Sequence, residues 1–157
     1  MMVNKFFPLV ALLLVVSCGS KIEISKKSTS DKHLAIVVEE FVYELEEALT
    51  PQCHASTIEV SNGIPVSSWF GGTEEKNDDV GIWVARKVEG KWSTPVEVVN
   101  GLQEDGSRYP CWNPVLYKPK GKPLMLFYKV GVDYREWWGL YIISEDDGLT
   151  WSEPVKL

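Results

Sequence analysis

The sequence has little that points to nucleic acid, to a metal or to a cofactor. It has no long run of Lys or Arg, and its formal net charge at pH 7 is −6, whereas a protein that binds nucleic acid needs a basic face for the phosphates. Only three Cys and two His occur among 157 residues. The Cys residues have no close Cys or His partner of the kind that a zinc site requires. We therefore expect no nucleic-acid partner, no metal site and no cofactor.

A membrane-spanning helix is also not expected. The apolar run at residues 6–16 is too short to cross a bilayer as a permanent helix. Lys5 precedes this run and the sequence Val-Val-Ser-Cys ends it at Cys18, which is the layout of a signal peptide. The ending resembles the lipobox of bacterial lipoproteins, in which the Cys thiol is acylated. We predict that residues 1–18 are a lipoprotein signal peptide and that Cys18 is lipidated; the alternative is an ordinary signal peptide.

An acylated chain would be tethered to a membrane without crossing it. Gly19 follows the Cys where Asp is associated with inner-membrane retention, so we expect an exported lipoprotein of the cell envelope, with the outer membrane favoured. Residues 19–33 are polar and rich in Ser and Lys, which is typical of a flexible tether. In an exported compartment disulfides can persist. Whether Cys53 and Cys111 pair is left open by the sequence.

An internal repeat begins near Pro51. When the chain is laid over itself with an offset of about 58 residues, Cys53 meets Cys111 and Gly63 meets Gly121. Each copy holds four short apolar stretches separated by turn signals; those of the first copy are at about 55–60, 64–70, 80–85 and 96–99. Four antiparallel strands in a repeat of this period are typical of a β-propeller blade. The sequence thus predicts an all-β fold over 34–157, with blade 1 at about 51–100 and blade 2 at about 109–157.

The segment before the repeat is ambiguous. Residues 36–43 are β-branched and aromatic, which favours a strand, and we expect this strand to close the propeller by pairing with its last blade. The Glu-rich stretch at 44–48 is equally compatible with the start of a helix.

The second copy of the repeat ends in the pattern S-x-D-x-G-x-T-W, which resembles the Asp-box, or BNR repeat, of sialidases. The resemblance implies a structural turn away from the active face, in which the Asp carboxylate accepts backbone N–H groups, the Gly takes a positive φ and the Trp packs between blades. The first copy keeps only the Gly and the Trp of this box. The five defining positions are Ser144, Asp146, Gly148, Thr150 and Trp151.

Residues 37–157 resemble the bacterial predicted-neuraminidase group beyond the box. The resemblance is carried by 53–57, 69–73, 111–114 and 135–139. Such proteins resemble six-bladed sialidase propellers, and six repeats of this period need a chain more than twice as long. We therefore expect an N-terminal fragment with about two four-stranded blades, which is inactive by itself.

In a propeller, the inner strands and the loops between second and third strands reach the same face. In the first copy these are Cys53 and His54 with the carboxylates of residues 74–79, and in the second copy Cys111 to Asn113 with residues 133–137. The resemblance implies an acid/base carboxylate in the loop at 71–80. We predict catalytic roles for Glu75, Asp79 and His54. The predicted substrate-binding residues are Trp112, Asn113, Arg135, Glu136 and Trp137.

The function that this resemblance implies is that of a lipid-anchored, sialidase-like exo-glycosidase that acts on terminal acidic sugars of glycans. Sialidases open their first blade with an Arg-Ile-Pro-type motif, but Cys53 stands at that place here, so the identity of the acidic sugar is open. Two alternatives are a carbohydrate-binding propeller without catalysis and a polysaccharide-lyase-like enzyme with His54 as its base.

Overall fold

The computed structural model describes residues 38–157. The predicted signal peptide, Cys18 and the tether at 19–33 lie outside the described residues. Within 38–157, no helix is long and apolar enough to cross a membrane.

The first repeat forms an antiparallel sheet. Its order is β1-β2-β3, and two short strands, β4 and β5, both pair with β3. The strands are β1 Gln52–Ser61, β2 Ile64–Gly72, β3 Gly81–Val88, β4 Lys91–Trp92 and β5 Val96–Val99.

A two-residue turn joins β1 to β2. Ser61 pairs with Ile64, and Asn62 and Gly63 between them both have positive φ, 48° and 88°. Asn-Gly favours this conformation because Asn tolerates positive φ and Gly has no Cβ to clash. This turn fixes the register of the β1–β2 hairpin, in which the beginning of β1 pairs with the end of β2.

The second repeat forms a four-stranded antiparallel sheet in the order β6-β7-β8-β9. Its strands are β6 Cys111–Tyr117, β7 Leu124–Val130, β8 Trp138–Ser144 and β9 Val155–Lys156. In β7, buried residues alternate with partly exposed ones over the whole strand, as a strand with one face in a core requires. The prediction of an all-β fold with two antiparallel blades is confirmed; the second sheet has the four strands expected, and the first has five because β4 and β5 both pair with β3.

The core lies between the two sheets, where the inward-facing apolar side chains of both meet. Burying each of these aliphatic side chains contributes about 1.5–3 kcal/mol. The inner strands also touch: the Leu116 N–H faces the Thr57 hydroxyl at 3.5 Å, and the Lys118 N–H faces the Glu59 carboxylate at 3.3 Å. The core includes Val66, Phe70, Ile82, Val84, Leu116, Leu124, Leu126 and Ile142.

The segment before β1 differs from the expectation. Residues 38–44 contain no strand, and only a single 3-10 turn forms, at Leu45–Glu47. The closing strand predicted at 36–43 is therefore wrong over 38–43, and residues 36 and 37 lie outside the described part of the chain. The physical reason is packing: Tyr43 lies against Trp69 with ring centroids 5.5 Å apart, so the segment crosses the face of the first sheet.

Candidate functional site

Both sheets contribute to one cavity, at the end where β1 and β6 begin. Its volume is about 390 Å³, which is within the range of small-molecule sites. The cavity contains five of the eight predicted catalytic and substrate-binding residues. They are His54, Glu75, Trp112, Asn113 and Trp137, joined by Ala55, Phe70, Lys76, Asp133 and Tyr134.

Each inner strand bends at this cavity. The pairing of β1 with β2 shifts between His54 and Thr57, and that of β6 with β7 shifts between Trp112 and Val115. Ala55 and Asn113 lie in these bulges with positive φ, 52° and 44°. A bulge re-aims the neighbouring side chains, so the same irregularity in both repeats directs their inner strands toward the cavity. The prediction from sequence missed both bulges; their 58-residue spacing matches the repeat.

The closest pair of titratable groups in the cavity is His54 and Glu75. The imidazole Nδ1 lies 3.3 Å from a carboxylate oxygen of Glu75, and the ring packs against Phe70 with centroids 5.7 Å apart. Glu75 is carried by the loop after β2, where its backbone N–H faces the Gln52 side-chain oxygen at 3.3 Å. This contact aligns the imidazole and leaves Nε2 as the ring nitrogen able to exchange a proton with a ligand.

Asp79 is placed differently from Glu75. Its carboxylate accepts hydrogen bonds from the hydroxyl and from the backbone N–H of Thr73, and it does not line the cavity. The Thr73 hydroxyl is the main reason why the pKa of Asp79 is lowered. The carboxylate therefore joins the two ends of the loop that carries Glu75.

The wall of the cavity opposite His54 is aromatic. Trp112 is buried, packs against Phe70, and donates its indole N–H to the Gly131 carbonyl at 2.8 Å. Trp137 meets Trp112 edge to face at 5.6 Å, and the Lys129 ammonium lies 4.1 Å from the centre of its ring. Trp112 thus supports the wall from within the core, while the partly exposed Trp137 presents a ring edge or face to a ligand.

Arg135 and Glu136 lie in the loop beside the cavity and do not line it. The Arg135 guanidinium stacks over Tyr134 and its Nε donates to the Tyr134 hydroxyl at 3.1 Å. The Glu136 N–H donates to the Asp133 carbonyl, so the loop is a compact turn. Both side chains are exposed at its rim.

A larger groove of about 640 Å³ lies between residues 41–46 and the first sheet. Cys53 is in this groove, where its sulfur accepts a hydrogen bond from the Tyr43 hydroxyl at 3.5 Å. His54, the next residue, also lines this groove, but its imidazole contacts Glu75. The two neighbours therefore have different partners, as expected for successive residues of a strand.

The Asp-box forms a closed turn between β8 and β9. One Asp146 oxygen accepts hydrogen bonds from the Ser144 hydroxyl and the Thr150 N–H, both at 2.8 Å, and the other accepts the Thr150 hydroxyl at 2.6 Å. These bonds hold the pKa of Asp146 down at about 2. Gly148 has a φ of 84°, and Trp151 packs against the core.

The same turn also joins the two sheets. Asp147 accepts hydrogen bonds from the Ser61 hydroxyl at 2.6 Å and the Asn62 amide at 2.8 Å, while Arg86 donates to its backbone carbonyl at 2.7 Å. Ser61 ends β1, whereas His54 lies near its beginning. The Asp-box is therefore at the opposite end of β1 from the cavity.

No metal-binding cluster is found in residues 38–157: no three His, Cys, Asp or Glu residues there come together to hold an ion. Cys53 and Cys111 are both free thiols, so the structure does not pair them. Burial raises the pKa of the Cys111 thiol to about 12, which makes it unreactive.

A family model described as "BNR repeat-like domain" matches residues 66–157. No curated protein matches the chain. Among solved structures, the Hadza microbial sialidase Hz136 matches with a TM-score of 0.59 and 15% identity, over 68% of this chain and 26% of that one. The Trypanosoma rangeli sialidase in complex with sialic acid matches with a TM-score of 0.52 and 16% identity, over 69% and 20%. These likenesses show the fold, and the chain spans about a quarter or less of each structure.

Proposed function

The chain belongs to the family of BNR repeat-like domains, and on that premise we propose that it forms part of a sialidase-like exo-glycosidase that acts on terminal acidic sugars of glycans. The observation that carries the proposal is the cavity in which His54 and Glu75 face a wall containing Trp137. A glycoside hydrolase needs a group that moves a proton at the glycosidic oxygen and a surface that holds the sugar ring. The cavity offers both within one ligand-sized space.

His54 is the proton-transfer group in this proposal. With Nδ1 directed at Glu75, the Nε2 nitrogen donates a proton to the glycosidic oxygen as the bond from that oxygen to the anomeric carbon breaks. Water then adds to the anomeric carbon, which keeps its hydroxyl group, and the other proton of that water returns to Nε2. Glu75 fixes the orientation of the ring.

Trp137 and Asn113 are the sugar-binding groups. An indole face packs on the C–H groups of a sugar ring, and the Asn amide offers both a donor and an acceptor to sugar hydroxyls. Lys76 also lines the cavity, and its ammonium is the charge that suits a sugar carboxylate. We expect further blades to supply the remaining groups of the site.

Cellular placement is a second part of the proposal. The chain is exported and anchored through lipid on Cys18, so that its glycan substrates are met at the cell envelope. This part of the proposal rests on the short apolar run that ends in Val-Val-Ser-Cys.

A lyase is the second candidate, and the His54–Glu75 pair favours it. A neutral imidazole aligned by a carboxylate is also a base that can remove the proton beside a uronic carboxylate. The imidazolium then gives a proton to the glycosidic oxygen, which leaves as an alcohol while a carbon–carbon double bond forms. The products differ in kind, since hydrolysis adds water and elimination gives an unsaturated sugar that absorbs in the near ultraviolet.

The test is sugar release by the longest natural polypeptide that contains these residues. It is incubated with a panel of sialosides, glucuronides and neutral glycosides, and products are separated by mass. We expect release from acidic substrates, a large loss in His54→Ala, and normal activity in Asp78→Asn, an exposed neighbour in the same loop. If His54→Ala releases sugar as fast as the parent protein, the assignment of His54 as the proton-transfer group is wrong. Binding without turnover would favour a non-catalytic propeller, and unsaturated products would favour the lyase.

A further inference from the structure

The loop between β2 and β3, residues 73–80, carries Glu75, and its two ends are joined by hydrogen bonds. Asp79 accepts two hydrogen bonds from Thr73, one from the backbone N–H at 2.9 Å and one from the hydroxyl. These residues are six apart in sequence, so the carboxylate closes the loop on itself. Opening of this closure would free Glu75 to move away from His54.

A second anchor comes from the connection between the two sheets. The Arg108 guanidinium donates to the Asp79 carbonyl at 3.1 Å and to the Glu97 carboxylate of β5 at 2.9 Å. Its Nε donates to the Asn100 carbonyl at 2.6 Å. One partly buried cation therefore ties the loop to an outer strand and to the connecting segment at the same time.

The end of the loop is also fixed to the second sheet. The Cys111 N–H donates to the Val80 carbonyl at 2.9 Å, which places the start of β6 beside the end of the loop. On the other side, the Gln52 side chain receives the Glu75 N–H. The loop that carries Glu75 is thus held on one side by the contact with Gln52 of β1. At its two ends it is held by Asp79 and Arg108.

We propose that Asp79 is a positioning residue which, together with Arg108, holds the 73–80 loop so that the Glu75 carboxylate faces His54. The inference deepens the proposed function and rests on it for the role of the His54–Glu75 pair. In this arrangement Asp79 does not donate a proton to the substrate: both of its oxygens lie outside the cavity lining and its hydrogen bonds go to Thr73. Glu97 acts through Arg108, with whose guanidinium its carboxylate forms an ion pair at 2.9 Å.

The electrostatics agree with this role. The hydrogen bond from the Thr73 hydroxyl is the leading cause of the lowered pKa of Asp79, and the nearby Arg108 charge adds to it. A carboxylate held ionised in this way is a strong acceptor for the loop and a weak proton donor at neutral pH.

The experiment reads the tautomer of His54 by ¹⁵N NMR in the 157-residue chain. His33→Gln makes His54 the only imidazole. At a pH where the ring is neutral, contact with Glu75 favours the Nδ1–H tautomer. We expect that tautomer in the parent chain and its loss in Glu75→Ala, in Asp79→Ala and in Arg108→Gln. Thr73→Val removes only the hydroxyl and is expected to reduce the population of the Nδ1–H tautomer. Asp79→Asn keeps an acceptor oxygen and is expected to retain part of that population.

Two controls separate positioning from loss of fold. Asp78→Ala changes an exposed neighbour and is expected to leave the tautomer unchanged. The indole signal of Trp112, whose N–H is bonded to Gly131 in the core, reports whether each variant keeps its packing. Loss of the tautomer with a normal Trp112 signal supports positioning.

Two results would overturn the inference, and they can be told apart. If Glu75→Ala loses the Nδ1–H tautomer while Asp79→Ala, Arg108→Gln and Thr73→Val keep it, the pair stands and the loop anchors do not position it. If Glu75→Ala itself has no effect, the His54–Glu75 pair fails, and the proposed function loses its supporting observation together with the inference.

Discussion

The Nδ1 nitrogen of His54 lies 3.3 Å from the carboxylate of Glu75. The two residues belong to different elements, the beginning of β1 and the loop after β2, and are 21 positions apart in the sequence. A bulge at Ala55 and a closed loop based on Thr73 and Asp79 bring them together. Chemistry in this chain is therefore expected where these two elements meet.

The first prediction concerns this pair in the longest natural polypeptide that contains the chain. Glu75→Gln removes the carboxylate oxygen that aligns the imidazole, so we expect kcat to fall by about 10²–10⁴-fold with a smaller change in KM. Steady-state kinetics on the best acidic substrate measures this. The exposed Glu74 of the same loop, changed to Gln, is the matched control, and an equal loss in both variants would argue against a specific role for Glu75.

The second prediction concerns the Asp-box turn. Asp146→Ala removes the acceptor of three hydrogen bonds, and we expect the free energy of unfolding to fall by about 1–2 kcal/mol, because the turn is partly open to solvent. Urea unfolding of the 157-residue chain measures the change. Glu145 is an exposed neighbour in the turn, and Glu145→Ala should leave the free energy of unfolding nearly unchanged. If Asp146→Ala has an equally small effect, these hydrogen bonds add nothing to stability.

The third prediction is a pH dependence. The pKa of Asp146 is lowered from 3.8 in the unfolded reference to about 2 in the fold, chiefly by the Thr150 hydroxyl and N–H. A lowered folded-state pKa means that this contribution is complete above 3.8 and is lost as pH falls toward 2. The difference in unfolding free energy between the parent chain and Asp146→Asn should shrink across that window. Because the other carboxylates are the same in both proteins, their effects cancel in this difference. A difference that stays constant with pH would contradict the lowered pKa of Asp146.

The fourth prediction concerns the N-terminus. Cys18→Ala should abolish acylation and move the protein from the membrane fraction to the soluble fraction, since the thiol that carries the lipid is gone. Partition into detergent and the mass of the mature protein measure this in a bacterial host. Unchanged partition of the variant would rule out the lipid anchor, and Cys53→Ala serves as the matched control.

The strands were predictable because each repeat carries four short apolar stretches separated by turn signals, and because the 58-residue offset aligns the two copies. Asn62-Gly63 is one of these turn signals, and its effect is local because both residues take the positive φ that the two-residue turn requires. The strand expected at 36–43 failed over its described part because β-branching gives a preference for extended backbone and does not supply a partner strand. Tyr43 instead found a packing partner in Trp69.

The members of the site were predictable in part. Repeat alignment and strand order indicated His54, Glu75, Trp112, Asn113 and Trp137, which the structure brings into one cavity. The bulge at Ala55 was missed because Ala gives no local signal of a positive φ. Asn113 is of a residue type that tolerates a positive φ, but it lies in an apolar stretch with no Gly beside it to mark a turn. The tie from Arg108 to Asp79 depends on the connection between sheets, which local sequence patterns do not describe.

The most direct test of the central claim, a sugar site built around His54 and Trp137, is an NMR titration of the 157-residue chain. Methyl glycosides of sialic acid, glucuronic acid and glucose are added while the indole N–H signals and the His54 ring protons are recorded. We expect saturable shifts at Trp137 and His54 with an acidic sugar, weaker shifts with glucose, and none at Trp151, whose Asp-box turn contacts the end of β1 away from the cavity. Shifts at Trp151 with none at Trp137 and His54, or no saturable shift with any acidic sugar, would contradict it.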